Sequence, residues 1–128
     1  MALGPPLPLA DFEALVESAL AGIPPAFAPY LANVTILVAE EPSAALLHRM
    51  GLDPHRDSLF GVYQGVPLSK RSHDHGNTLP DHITIFRGPL VRAYRTPEAL
   101  TAQVRRTVVH EIAHFFGLDE HRIRRLGY

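Results

Sequence analysis

An α+β fold is what the sequence predicts, and three observations predict it. Three short β-prone segments, "NVTILVAE", "SLFGVYQGVPL" and "HITIFRG", all precede the longest helical pattern, which lies near the end of the sequence. Strands first and main helix last favours an α+β layer over a doubly wound parallel sheet, in which strands and helices would alternate. The 128 residues, 46% of them hydrophobic, suffice for one core and hardly for two, so a single domain over residues 1–128 is expected.

The elements follow in order. "GPPLPL" is a stiff, extended lead-in, because each proline fixes its own φ and biases the residue before it away from the helix. Asp11 suits the N-cap of a helix whose apolar stripe is Phe12, Leu15, Val16, Ala19 and Leu20, and Pro24 and Pro25 end it. Residues 26–32 show no clear period. Val34, Ile36 and Val38 then alternate as a half-buried strand does. Ser43 opens a helix of one or two turns through Met50, stopped by Gly51. A second strand centres on Leu59 to Tyr63 and is closed by Gly65 and Pro67. "SKRSHDHGNTLPD" is polar and carries Gly76, Asn77 and Pro80, the composition of an exposed loop or ragged hairpin. In "HITIFRG" Ile83 and Ile85 face one side of a strand, Thr84 and Phe86 the other.

Thr96, Pro97 and Glu98 make a well-formed helix start: a capping hydroxyl, a proline at the first helical position and an acid near the positive end of the dipole. The periodic pattern runs to Phe116, and Gly117 stands where a left-handed C-terminal residue is expected. At about 100° per residue, Val104, Val108, Ile112 and Phe115 form one stripe, and Val109, Ala113 and Phe116 widen it to about half the circumference. His110 and His114 fall on the remaining polar side, an orientation that suits a cleft.

Composition excludes several functions. A net charge of −1 creates no field for nucleic acid or anionic membrane, and Arg105, Arg106, Arg122, Arg124 and Arg125 read as solvated helix faces. With no cysteine, disulfides, thiol nucleophiles and Cys-ligated zinc are excluded together, so any metal must be held by nitrogen and oxygen. "MALGPPLPLADFEALVESAL" has no basic n-region, and no apolar run approaches a membrane span; a soluble, cytoplasmic protein is expected.

Function concentrates in "TVVHEIAHFFGLDEHRIRRLGY". His110 and His114, four apart, can place two imidazole nitrogens on one metal ion. Glu111 projects about 100° round from His110, close enough to reach a metal-bound water as a general base. On a continued helix, residues 119–121 would lie roughly 8–10 Å beyond His114, too far for a metal with bonds of about 2 Å. A break at Gly117 lets the chain return, and one of Asp119, Glu120 and His121 must supply a third ligand if the site is catalytic. "SHDHGN" brings His73, Asp74 and His75 near each other as a possible second metal group, but in a polar loop without a partner it reads as solvent-exposed.

HExxHxxGxx followed by a ligand resembles the metzincin-like zinc motif. Together with "LFGVYQGVPL" and "LPDHITIFRGPL", "HEIAHFFGLDE" makes most of the sequence similar to the small bacterial family of minimal zincins, zinc metallopeptidases of little more than the zincin core. The resemblance implies a small mixed sheet packed on the C-terminal motif helix, with the third strand beside the cleft. It implies Zn2+ held by His110, His114 and Glu120, Glu111 as general base and Gly117 as the turn. Two departures keep Asp119 and His121 as alternatives: the family typically has aspartate where Glu120 stands, and His121 lies directly beside it. A later methionine turn is missing, because Met1 and Met50 both precede the motif.

Peptide-bond hydrolysis by a metal-activated water is therefore the expected chemistry, with a peptide or protein as substrate and no nucleic-acid or membrane partner. Tyr63, Tyr94, Arg87 and Tyr128 are candidate oxyanion helpers, and "HITIFR" is the candidate edge strand for an extended substrate. Two alternatives stand beside it: a zinc-binding module without turnover, in which the metal staples the C-terminal segment, and a partner-regulated interaction protein.

Overall fold

Pro8 sets the first helix boundary. The computed structural model describes residues 7–65 and 81–125; helix α1 is Leu9–Ala21, with Pro8 extended at its N-cap (φ −56°, ψ 149°). Asp11, expected as the cap, lies instead in the first turn, where its carboxylate still meets the positive end of the dipole. The helix can start earlier because its first N–H groups need no helical partner. It also stops before Pro24, at the C-cap Gly22. A 3₁₀ turn, Pro25–Phe27, and helix α2, Ala28–Leu31, occupy the stretch that lacked a period.

Strand β1 is Thr35–Ala39, helix α3 is Ala44–Arg49, β2 is Gly61–Gln64 and β3 is His82–Phe86. The Ser43 hydroxyl accepts the Leu46 N–H at 3.0 Å and so caps α3 from just outside it. The described strands make one sheet in the order β1-β3-β2, parallel between β1 and β3 and antiparallel between β3 and β2. The sheet is therefore mixed, as expected. β3 is its central strand, however, which corrects the expectation that "HITIFR" offers a free edge: both sides of β3 carry a neighbour, and Ile83 and Ile85 are fully buried. The unpaired edges of the described sheet belong to β1 and β2.

Helix α4, Arg87–Ala93, follows β3 directly and was not anticipated. Gly88 and Pro89 look like breakers, yet they fall in the first turn, where a missing N–H costs nothing. The Gly88 N–H donates to the Glu40 carbonyl at 2.8 Å, and Arg92 pairs with Glu41 through two bonds of 2.7 and 3.0 Å. These contacts tie α4 to the turn after β1.

Helix α5, Pro97–Phe115, is the pattern foreseen, with Thr96 Oγ1 accepting the Ala99 N–H at 3.2 Å. Leu100, Val104, Val108, Val109, Ile112 and Ala113 are fully buried in one cluster with Phe12, Val16 and Ala19 of α1 and Ile83 and Ile85 of β3. Helices α1 and α5 share this cluster with the sheet, which gives the α+β layer predicted. At its end Gly117 has φ 70°, Gly117 N–H reaches the His114 carbonyl at 3.2 Å, and Leu118 N–H reaches the Ala113 carbonyl at 2.7 Å. That paired closure needs the left-handed residue, and it turns the chain into helix α6, Glu120–Arg125, anchored by the buried Ile123. No helix among the described residues is long and apolar enough to cross a membrane.

Candidate active site

Helix pitch assembles the first part of the site. His110 and His114 stand one turn apart, about 6 Å along the axis, on the face of α5 turned away from the core. His110 and Glu111 are half-buried and His114 is exposed. On the same stripe, at spacings of four, three and four, lie Gln103, Thr107, His110 and His114.

Strand β2 runs past this face. Phe86 N–H donates to the Phe60 carbonyl at 2.9 Å, so the ladder to β3 alternates in a way that turns the Tyr63 N–H outward. It donates to Glu111 Oε1 at 3.0 Å. The resemblance had suggested the third strand as the cleft wall; the wall is β2, because β3 lies behind it in the sheet. The Tyr63 ring stacks on Phe115 with centroids 4.1 Å apart and planes 10° from parallel, and its hydroxyl donates to Asp81 Oδ2 at 3.1 Å. Phe115, Phe116 and Tyr30 continue the ring contacts at 4.9 and 4.8 Å, which holds the end of α5 just beyond His114.

The approach of β2 to α5 depends on Gly61. A Cβ there would stand 2.7 Å from Thr107 Cγ2 and 3.0 Å from the Thr84 carbonyl oxygen. Gly61→Val is expected to force β2 from α5, costing about 1–3 kcal/mol as overpacking usually does, and to deprotect the Tyr63 amide to hydrogen exchange. An unchanged melting temperature with a protected Tyr63 amide would show that the close contact is dispensable.

Two recesses flank Glu111. One, of about 280 Å³, lies between Phe60 and Gly61 on one side and Gln103, Arg106, Thr107 and His110 on the other. The second, of about 260 Å³, is bounded by Met50, Val62, Tyr63, Gly65, His114 and Phe115. Glu111 thus faces solvent-accessible space on both sides while its own carboxyl is largely withdrawn from water. Burial pushes its pKa above the ordinary glutamate range, opposed by the Tyr63 amide and by His114 and His110.

The third metal donor is not gathered with the first two: among the described residues no three His, Asp or Glu side chains converge as a metal-holding group. Asp119 Oδ1 accepts the Arg122 N–H at 2.7 Å and caps α6. Glu120 and His121 are exposed in the first turn of α6. The chemistry of the donor set fits a zinc ion at His110 and His114, two imidazole ligands at helical spacing, with exposed oxygen and nitrogen donors following in the same segment.

Of the proposed oxyanion helpers, Tyr63 lines a recess with Glu111. Tyr94 packs edge-on against Phe60 with centroids 5.6 Å apart, and Arg87 is engaged by Glu40 and the Leu7 carbonyl. Tyr128 and the His73, Asp74, His75 group lie outside the described residues. Sequence reasoning did not single out Gln103, Thr107 or the Tyr63 backbone. The signal for the first two was the polar stripe in phase with the histidines, on a helix otherwise apolar where it is buried.

A mixed sheet under a long helix that carries two imidazoles and a half-buried glutamate, with a strand edge running beside them, is the layout of a zincin. The chain belongs to the zincin-like metallopeptidase family, which matches residues 31–128. Among solved structures it is similar to a conserved hypothetical protein from T. thermophilus, with 21% identity, 86% of this chain and 94% of that chain covered, and a TM-score of 0.55. That likeness concerns the fold. No curated protein matches the chain.

Proposed function

We propose that the protein is a zinc-dependent peptidase in which Glu111 is the general base and His110, His114 and Glu120 would hold the metal. The observation that carries this reading is the setting of Glu111: half-buried beside two imidazoles, open to a recess on each side, with Oε1 fixed by a backbone N–H of the neighbouring strand. Glu120 is preferred to Asp119 because the latter is already committed to capping α6.

When bound, zinc supplies Lewis acidity, lowering the pKa of a water towards about 7 and polarising a carbonyl. The chain's own part is proton handling and alignment. With Oε1 held by Tyr63, Oε2 is the atom that takes a proton from the attacking water and returns it to the departing nitrogen. Burial favours the protonated carboxyl and so assists the first transfer, while the Tyr63 N–H, His114 and His110 favour the carboxylate and so assist the second. The outward backbone groups of β2 other than the Tyr63 N–H, which Glu111 occupies, offer hydrogen bonds to an extended peptide, the usual way a strand edge takes a substrate.

The test is metal content by elemental analysis after mild dialysis, for wild type, Glu120→Ala and His121→Ala, beside hydrolysis of a peptide library. One equivalent of zinc in wild type, lost with Glu120→Ala and kept with His121→Ala, is the expected result. Zinc retained by both variants would move the third ligand elsewhere; no zinc and no hydrolysis in wild type would overturn the reading.

A further inference from the structure

We propose that the recess on the Arg106 side of Glu111 binds a carboxylate of the substrate, so that the site acts on peptides presenting an acidic group next to the bond to be cut. The inference deepens the peptidase reading of Glu111 and rests on it for the reaction, though not for the binding.

Arg106 precedes His110 by one helical turn and lies about 6 Å further along the same side of α5. Its side chain is exposed and lines the recess that ends at His110 and Glu111. Arg56, Arg87 and Arg92 are each paired with a carboxylate, on Asp53, Glu40 and Glu41. Arg106 makes no ion pair among the described residues; Nη1 donates to Gln103 Oε1 at 3.4 Å. Gln103 is itself buried, 9% exposed, and its Nε2 donates to Thr107 Oγ1 at 3.2 Å. This anchored amide presents its oxygen to the guanidinium beside the recess, while the remaining N–H groups stay available for a two-point contact with a carboxylate.

The surroundings accommodate such a contact. Phe60 and Gly61 form the opposite wall, an apolar surface against which the hydrocarbon part of a bound group can rest. Glu111 shares the recess and would repel an anion, but it stands five residues on, about 7.5 Å along the axis, and across the histidine stripe from Arg106. The two opposite charges therefore mark two ends of one recess and do not cancel. A volume of about 280 Å³ leaves room for a short acidic side chain or a chain terminus beside the reacting carbonyl.

The same carboxylate chemistry could come from an Asp or Glu side chain or from the free C-terminus of a peptide, and four probes separate them: acetyl-glutamate amide, acetyl-glutamine amide, acetyl-alanine and acetyl-alanine amide. Their binding to the full chain is followed through the NMR signal of the Gln103 side-chain amide in wild type, Arg106→Gln and Arg106→Lys, with the Arg106 Nε–H signal as a second readout in wild type. The expected result is that at least one charged probe binds about tenfold more tightly than its neutral partner, that Arg106→Gln removes the difference, and that Arg106→Lys, which keeps charge without the fork, retains part of it. The pair that discriminates names the source.

Equal binding of charged and neutral probes, or discrimination that survives Arg106→Gln, overturns the proposal. Peptide hydrolysis measured on the same proteins keeps the two readings apart. Cleavage with no charge preference and no effect of Arg106→Gln removes the carboxylate site and leaves the peptidase. Arg106-dependent carboxylate binding without cleavage of any peptide does the reverse.

Discussion

Glu111→Gln is expected to slow peptide hydrolysis by about two to four orders of magnitude, the usual contribution of a positioned acid–base group, while leaving the metal content of the protein unchanged. Glutamine keeps an oxygen for the Tyr63 N–H, so β2 should remain in place, and it removes only the atom that accepts the proton. The same change should stabilise the metal-free protein at neutral pH. Burial raises the folded-state pKa of Glu111 above its unfolded value, so its contribution to stability is fully present below the unfolded pKa and is lost as pH rises through the folded one. Glutamine does not titrate. The melting temperature of chelated Glu111→Gln should therefore match that of the chelated wild type in acid and exceed it progressively from the ordinary glutamate range upward. Melting curves across that range, with hydrolysis assays on the metal-loaded proteins, check both halves. A variant that hydrolyses like wild type removes Glu111 as base; a stability difference independent of pH removes the buried-charge argument.

That this carboxyl stands beside two imidazoles one helical turn apart was legible in the sequence, and its contact with the neighbouring strand was not. His110, Glu111, His114 and Gly117 follow from spacing and helix pitch, and the left-handed φ of Gly117 is a local property of a helix end. The Thr96 cap was equally legible, because a cap is a bond between near neighbours. The errors fall where long-range pairing decides. A strand with two buried isoleucines reads the same whether it is central or at an edge, so the sheet order that makes β2 the cleft wall had no local signature. Gly61 carries no local signal of its role, and only the approach of Thr107 shows why a side chain is excluded. Helix α4 hid behind Gly88 and Pro89, whose tolerance depends on their falling in a first turn.

Phe12→Ala is the second large effect, expected to cost about 3–5 kcal/mol and to lower the melting temperature by roughly 10–20 °C for a chain of this size. Helix α1 lies outside residues 31–128, the part that matches the family, and from that alone it could be an appendage. Its packing says otherwise. Phe12 and Ala19 have no exposed surface, both belong to the cluster that includes Val104, Val108 and Ile112, and Arg105 Nε donates to the Ala19 carbonyl at 2.9 Å. Phe12 is thus one of the side chains that close the core face of α5, whose opposite face carries the histidines. Removing its ring leaves a cavity under the motif helix without touching any residue of the cleft. The expected pattern is accordingly a large loss in thermal stability with zinc content unchanged in protein kept well below its melting temperature. A fall of only a few degrees would show that α1 is peripheral after all. Loss of zinc from protein that is still folded, by circular dichroism at the same temperature, would show instead that α1 sets the position of α5 and that the site is more sensitive to its backing than the separation of the two faces implies.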